Sequence, residues 1–197
     1  MTALAGIKKI IDSNIIIYSL LKGHPASDRC EELIREGFLK IVWVTSPVTF
    51  FEIFSVMKKG YGIDGKEVLN RLKTLLETPL YIPPLTKEYI ESTLNESEET
   101  RIDVNNAVLI EIAKREGIST IITDDEKLKE ICKDIGITVE SPIDDIIRNE
   151  ISEWEKENLP EKGIQRILRR IYRWITEKNE QIAKQFEAET HNLQKLP

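Results

Sequence analysis

The sequence predicts an α/β fold: a parallel sheet of about four to five strands sandwiched by helices, followed by a C-terminal helical extension. Three observations predict it. Short β-branched apolar runs alternate with amphipathic segments up to about residue 140, the pattern of strands joined by crossover helices. Acidic residues stand at the ends of those runs or on the adjoining helices. From residue 148 onward the short runs disappear and only helical spacing remains.

Each element has a local reason. Residues 7–12 form an apolar run closed by Asp12, as expected of a buried parallel strand. Asn14–Lys22 reads as a helix stopped by Gly23 and Pro25, and a second helix spans about Ala26–Arg35 before Gly37. Ile41–Val44 is a β-branched strand. Ser46 and Pro47 supply the N-cap and first turn of a helix that runs to Lys59. Asp64–Glu77 is amphipathic, Leu80–Ile82 is a short strand ended by Pro83-Pro84, and Thr86 to about Leu94 is helical. Asn95–Arg101 is polar and acidic and reads as a loop. Asp103 caps a helix ending at Gly117; Ser119–Ile122 is a strand, Asp124–Asp134 a helix, and Ile137–Val139 the last strand. A shorter helix follows at about 142–157. Beyond Pro160, Ile164, Ile167, Leu168, Ile171, Trp174, Ile175, Ile182 and Phe186 keep one helical spacing. The division is a domain over residues 1–141 and an extension over 142–197.

Composition excludes several classes. The chain has 197 residues, 41% of them apolar, which suffices for a real core. No apolar run reaches the ~18–20 residues of a membrane span, and Asp12 and Asn14 interrupt the run that follows Lys8-Lys9. The expectation is a cytoplasmic protein with no membrane partner. Cys30 and Cys132 read as small buried residues of a reducing compartment. His24 and His191 are the only histidines, which argues against zinc sites and Ser-His-Asp chemistry. There is no GxGxxG or P-loop. The net charge is −6, divided as −7 over residues 1–147 and +1 over residues 148–197. The global balance counts against a nucleic-acid binder, but a cation in an acidic pocket changes the local sign.

Four carboxylates are the candidate chemistry: Asp12, Glu52, Asp103 and Asp125. In parallel sheets ligands bind beyond the carboxyl ends of strands, where Asp12 and Asp125 fall. Asp12 and Glu52 sit within apolar runs, and a carboxylate there needs a partner charge, a hydrogen-bond network or a metal. Hard oxygen donors without a His or Cys cluster suit Mg²⁺ or Mn²⁺. Competing readings exist. Asp103 serves equally as a helix N-cap, Asp12 can cap the helix after it, and Asp124 suits a first turn. A phosphotransferase using Asp12 as nucleophile is disfavoured, because position 14 is Asn rather than a second Asp.

The run Ile11-Asp12-Ser13-Asn14, Glu52 in the helix opened by Ser46-Pro47, the Asn106-Ala107 to Gly117 helix and Thr123-Asp124-Asp125 together resemble a PIN-domain ribonuclease of the VapC-toxin kind. The resemblance covers roughly residues 7–140, and its specificity lies in the order of the motifs rather than in any one of them. It implies a PIN-like sheet and an Mg²⁺- or Mn²⁺-dependent endoribonuclease in which metal-activated water attacks RNA phosphorus. It assigns Asp12 to direct metal binding, Asp125 to the same or a second ion, Glu52 to the nucleophilic water or second ion, and Thr123 to the hydroxyl position. It also implies an antitoxin protein partner and a homodimer. One position departs: the family usually has Asp where Asn106 stands. Either Asn106 ligates through its amide oxygen while Asp103, one turn earlier, supplies the charge, or metal affinity falls and the chain is a weakened or inactive RNA- or protein-binding module. Arg166, Arg169, Arg170 and Arg173 repeat by turns in the extension. They are RNA-contact candidates, or else a solvated face paired with nearby acids.

Overall fold

The computed structural model describes residues 7–158, 171–172 and 174–193. Four strands form one wholly parallel sheet: β1 (Ile7–Ile11), β2 (Ile41–Val44), β3 (Thr120–Ile122) and β4 (Thr138–Glu140), in the order β2-β1-β3-β4. β1 is thus central, registered Ile10 to Val44 on one side and Ile10 to Ile121 on the other. Its successive side chains alternate between faces. Ile11, Ile122 and Trp43 enter the core formed with the helices α1 (Ser13–Leu20), α2 (Ser27–Gly37), α3 (Pro47–Lys59) and α4 (Gly65–Leu76). Ile10, Ile121 and Val44 enter the opposite core with α6 (Val104–Glu116) and α7 (Glu126–Asp134). The helix α5 (Lys87–Thr100) contributes Tyr89 to that second face.

Helix starts are set by side-chain caps. Ser46 Oγ accepts from the Val48 N–H at 3.1 Å with Pro47 in the first turn, and Asp64 Oδ1 accepts from Lys66 N–H at 2.9 Å. At the end of α6, Gly117 takes φ 64°, a left-handed conformation that costs glycine least. Glycine has a packing reason at position 37: a Cβ there would run into the buried Trp43 indole, whose Nε1–H donates to Ile34 O at 3.0 Å.

Three expectations are corrected. Residues 95–100 are not a loop, because α5 continues to Thr100 and stops at Arg101, which adopts φ 55°. The segment Leu80–Ile82 makes only a single bridge, Tyr81 to Val44, so the sheet has four strands. Pro83-Pro84 withholds the amide donors a longer ladder needs. The apolar spacing of the tail is not one continuous helix. Lys178 and Asn179 N–H groups bond back to Ile175 O, and Asn179 Oδ1 then accepts from Gln181 and Ile182 N–H, starting α9 (Glu180–Leu193) afresh. Trp174, on that same apolar spacing, is exposed.

The helix α8 (Asp145–Asn158) lies against the domain: Ile143 is buried in the first core, and Ile147 and Ile151 pack on it. The ring of Trp154 meets His24 edge-on at 5.0 Å, and His24 stacks on Tyr18 at 4.6 Å. Burial pushes His24 down to about 4. Cys30 and Cys132 are free and buried, and burial pushes the thiols up to about 12 and about 11, so neither is a ready nucleophile. Among the described residues no helix is long and apolar enough to cross a membrane.

Candidate active site

β1 ends by delivering Asp12 into the interior, where it is 3% exposed. Both oxygens of its carboxylate accept hydrogen bonds. Oδ1 accepts from the Ser13 N–H at 2.6 Å as the cap of α1, and Oδ2 accepts from Asn14 Nδ2 at 2.9 Å and Thr123 Oγ1 at 2.6 Å. Thr123, following β3, accepts in turn from Asn14 Nδ2 at 3.1 Å and from the Asp125 N–H at 3.0 Å. Asn14 Oδ1 accepts from Asp124 N–H at 3.3 Å. One threonine and one asparagine therefore tie the ends of the two central strands together.

Burial pushes the Asp12 carboxyl up to about 6. The Thr123 and Ser13 hydrogen bonds oppose that rise, whereas the negative charges of Glu52 and Asp125 add to it. Asp12 thus senses two other carboxylates. With Asp103 and Asn106 these residues line one cleft of about 440 Å³, to which Ile17, Tyr18, Val56 and Tyr61 also contribute. Glu52 comes from the middle of α3. Asp103 and Asn106 come from the start of α6, where Asp103 Oδ1 also caps the helix by accepting from Asn105 N–H at 2.9 Å. Asp125 Oδ1 caps α7, accepting from Leu128 N–H at 2.7 Å. A second cleft of about 370 Å³, between α2 and the ends of β3 and β4, mixes Arg29 with Glu32, Glu36 and Glu140 and contains none of Asp12, Glu52, Asp103 and Asp125.

The adjacent acids Asp124 and Asp125 separate cleanly. Asp125 faces the cleft, while Asp124 turns away to Arg148, Lys129 and Ser141. Of the residues singled out by sequence, Asp12, Glu52, Asp103, Asn106 and Asp125 share the cleft and Thr123 lies behind Asp12. Arg166, Arg169, Arg170 and Arg173 lie outside the described residues. Sequence reasoning missed Tyr18 and Tyr61. Tyr18 stands one turn after Asn14 on α1, a spacing that placed it on the same face. Tyr61 follows Gly60 and carries no comparable signal.

The donor set is wholly hard oxygen, and among the described residues lining the cleft there is no Lys or Arg. An uncompensated negative cleft of this kind suits a divalent cation. In the arrangement described, however, no three His, Cys, Asp or Glu side chains among the described residues are grouped tightly enough to hold a metal ion. The fit is one of chemistry and location.

A PIN-domain model matches residues 9–134, well over half the chain, and the protein belongs to the PIN-domain family. The fold is shared with VapC20 of Mycobacterium tuberculosis, a sarcin–ricin-loop-cleaving toxin, at a TM-score of 0.53 and 14% identity over 62% of this chain and 94% of that one. It is likewise shared with VapBC2 of Rickettsia felis, bound to a DNA fragment from its promoter, at a TM-score of 0.53 and 16% identity over 68% of this chain and 98% of that one. No curated protein matches by sequence.

Proposed function

We propose that the protein is an Mg²⁺- or Mn²⁺-dependent endoribonuclease, the toxin of a toxin–antitoxin pair, acting in the cytoplasm. The observation that carries this reading is the convergence of Asp12, Glu52, Asp103, Asn106 and Asp125, from four separate segments, on one cleft without a basic residue among its described lining. The family and the toxin-like neighbours support the same reaction class.

In this reading Asp12, Glu52, Asp103 and Asp125 hold the cation and Asn106 adds an amide oxygen. A bound divalent ion would supply charge stabilisation for the phosphate oxygens and lower the pKa of a nucleophilic water. The chain does the rest. Thr123 and Asn14 hold Asp12 in one orientation, and the Thr123 and Ser13 hydrogen bonds oppose the rise that burial gives its carboxyl. Glu52 also orients the attacking water, and Tyr18 and Tyr61 line the cleft where the RNA lies. The nuclease is carried by residues 1–141, with 142–197 as the extension. Its Arg166, Arg169, Arg170 and Arg173 are the proposed phosphate contacts.

An antitoxin and a second copy of the chain complete the proposal. Exposed Ile90, Leu94 and Val104, beside Val48 and Leu85, support self-association on the α5–α6 face.

Asn106 and the loose grouping of the carboxylates favour a second reading, a binding module that no longer cuts. Cleavage of a single-stranded RNA panel in Mn²⁺, Mg²⁺ or EDTA separates the two. Metal-dependent cutting that Asp12→Ala abolishes is the expected result. Cutting only in Asn106→Asp would establish the binding module, and silence in both, without Mn²⁺ binding, would remove the nuclease reading.

A further inference from the structure

The Asp124 side chain is 9% exposed and points away from the cleft, yet it lies between Thr123, which donates to Asp12, and Asp125, which lines the cleft. Its carboxylate is gripped from the extension. Arg148 on α8 donates through both terminal nitrogens, to Oδ1 at 2.7 Å and Oδ2 at 3.2 Å. The remaining contacts are weaker: Ser141 Oγ at 3.2 Å and Lys129 Nζ at 3.4 Å, the latter also paired with Glu126 at 2.7 Å. A planar guanidinium fork fixes both the position and the angle of a carboxylate, which an ammonium does not.

We propose that Arg148 is a positioning residue of the acidic site: through Asp124 it fixes the Thr123–Asp125 turn, so that the first helix of the extension is a working part of the cleft. The proposal rests on the nuclease reading. Arg148 is itself held in place, because Ile147 and Ile151 seat α8 on the core and Trp154 closes against His24. Removing the guanidinium leaves a largely buried carboxylate with one distant ammonium and one hydroxyl. Asp124 then relaxes toward water. The Asp124 N–H is bonded to Asn14 and the next N–H to Thr123 Oγ1, so a twist of this turn reaches Asp12 and Asp125 directly.

The test is Mn²⁺ binding to the full chain by calorimetry, for wild type, Arg148→Ala, Arg148→Lys, Asp124→Asn and the Arg148→Ala/Asp124→Asn double variant. Gly37→Ala, which disturbs the core away from the cleft, is the control for lost stability. Outer partners of metal ligands carry about ten- to a hundredfold in affinity. We expect a loss of about tenfold in Arg148→Ala, a smaller loss in Arg148→Lys, and no further loss in the double variant than in Arg148→Ala. Wild-type affinity in Arg148→Ala, or a loss no greater than that of Gly37→Ala, overturns the proposal and leaves the nuclease reading standing. Should Arg148→Ala fail to fold, wild-type affinity in Arg148→Lys overturns it. A wild type that binds no Mn²⁺ overturns both.

Discussion

The hydroxyl of Thr123 donates to Oδ2 of Asp12 at 2.6 Å, joining two residues 111 positions apart in the chain. Thr123 is wholly buried, so the bond has no water to replace it. Replacing Thr123 by the near-isosteric Val removes the donor and leaves the carboxylate short of one partner. A hydrogen bond to a charged group contributes about 1.5–3 kcal/mol. Thr123→Val should lose an amount in that range in urea denaturation at neutral pH, and RNA cleavage should fall with it. Unchanged stability would mean that Asn14 and Ser13 suffice.

Two buried groups give opposite pH dependences to the cation-free protein. The Asp12 carboxyl is raised, so its contribution to stability is complete below about 3.8 and is lost as pH rises through about 6. His24 is lowered, so its contribution is present above about 6.5 and is lost as pH falls toward about 4. In EDTA the wild type should therefore vary little between pH 4 and 6.5. His24→Gln should become less stable as pH rises across that window, and Asp12→Asn less stable as pH falls. Melting curves at half-unit steps read the slopes; two variants parallel to wild type would contradict both shifts.

Asp103 has two separable duties. As the cap of α6 it contributes about 1 kcal/mol, which Ser preserves and Ala does not. As a cleft carboxylate it contributes charge, which both lose. Asp103→Ser should keep wild-type melting and weaken Mn²⁺ binding, whereas Asp103→Ala should lose both. Full Mn²⁺ affinity in Asp103→Ser would leave only the capping role.

A methyl group at Gly37 has nowhere to go except into the indole of Trp43, which is 1% exposed and hydrogen-bonded at its nitrogen. Overpacking of this kind costs about 1–3 kcal/mol. Gly37→Ala should melt lower by that amount, with RNA cleavage per folded molecule unchanged at low temperature. A wild-type melting curve would show that α2 shifts freely.

Much of this architecture is legible in the residues themselves. The strand at Ile7–Ile11, the Ser46-Pro47 helix start and the Gly117 stop are local signals, and local signals survive into the fold. That Asp12, Glu52 and Asp125 meet in one cleft was legible from carboxylates at strand ends and in apolar runs, although Asp12 and Asp125 also cap α1 and α7. The end of α5 was not. Its inward positions are Tyr89, Thr93 and Glu96, and Glu96 is buried by pairing with Lys114 on α6, so the helix carries no apolar stripe to recognise. Arg148 was equally silent, since one arginine in a charged helix acquires meaning only when the fold sets it against Asp124. The break at Asn179 hid inside an apolar spacing that continued on both sides of it.

The central place of β1 has a consequence for how the protein comes into being. Its second neighbour, β3, is translated more than a hundred residues later, and Thr123 and Asp125 come after that. A nascent chain that has not yet emerged past these residues presents one open strand edge and an Asp12 without its buried partner. The acidic cleft therefore cannot assemble until close to two-thirds of the 197 residues have been made, because Asp125 is the last of its lining residues to be added.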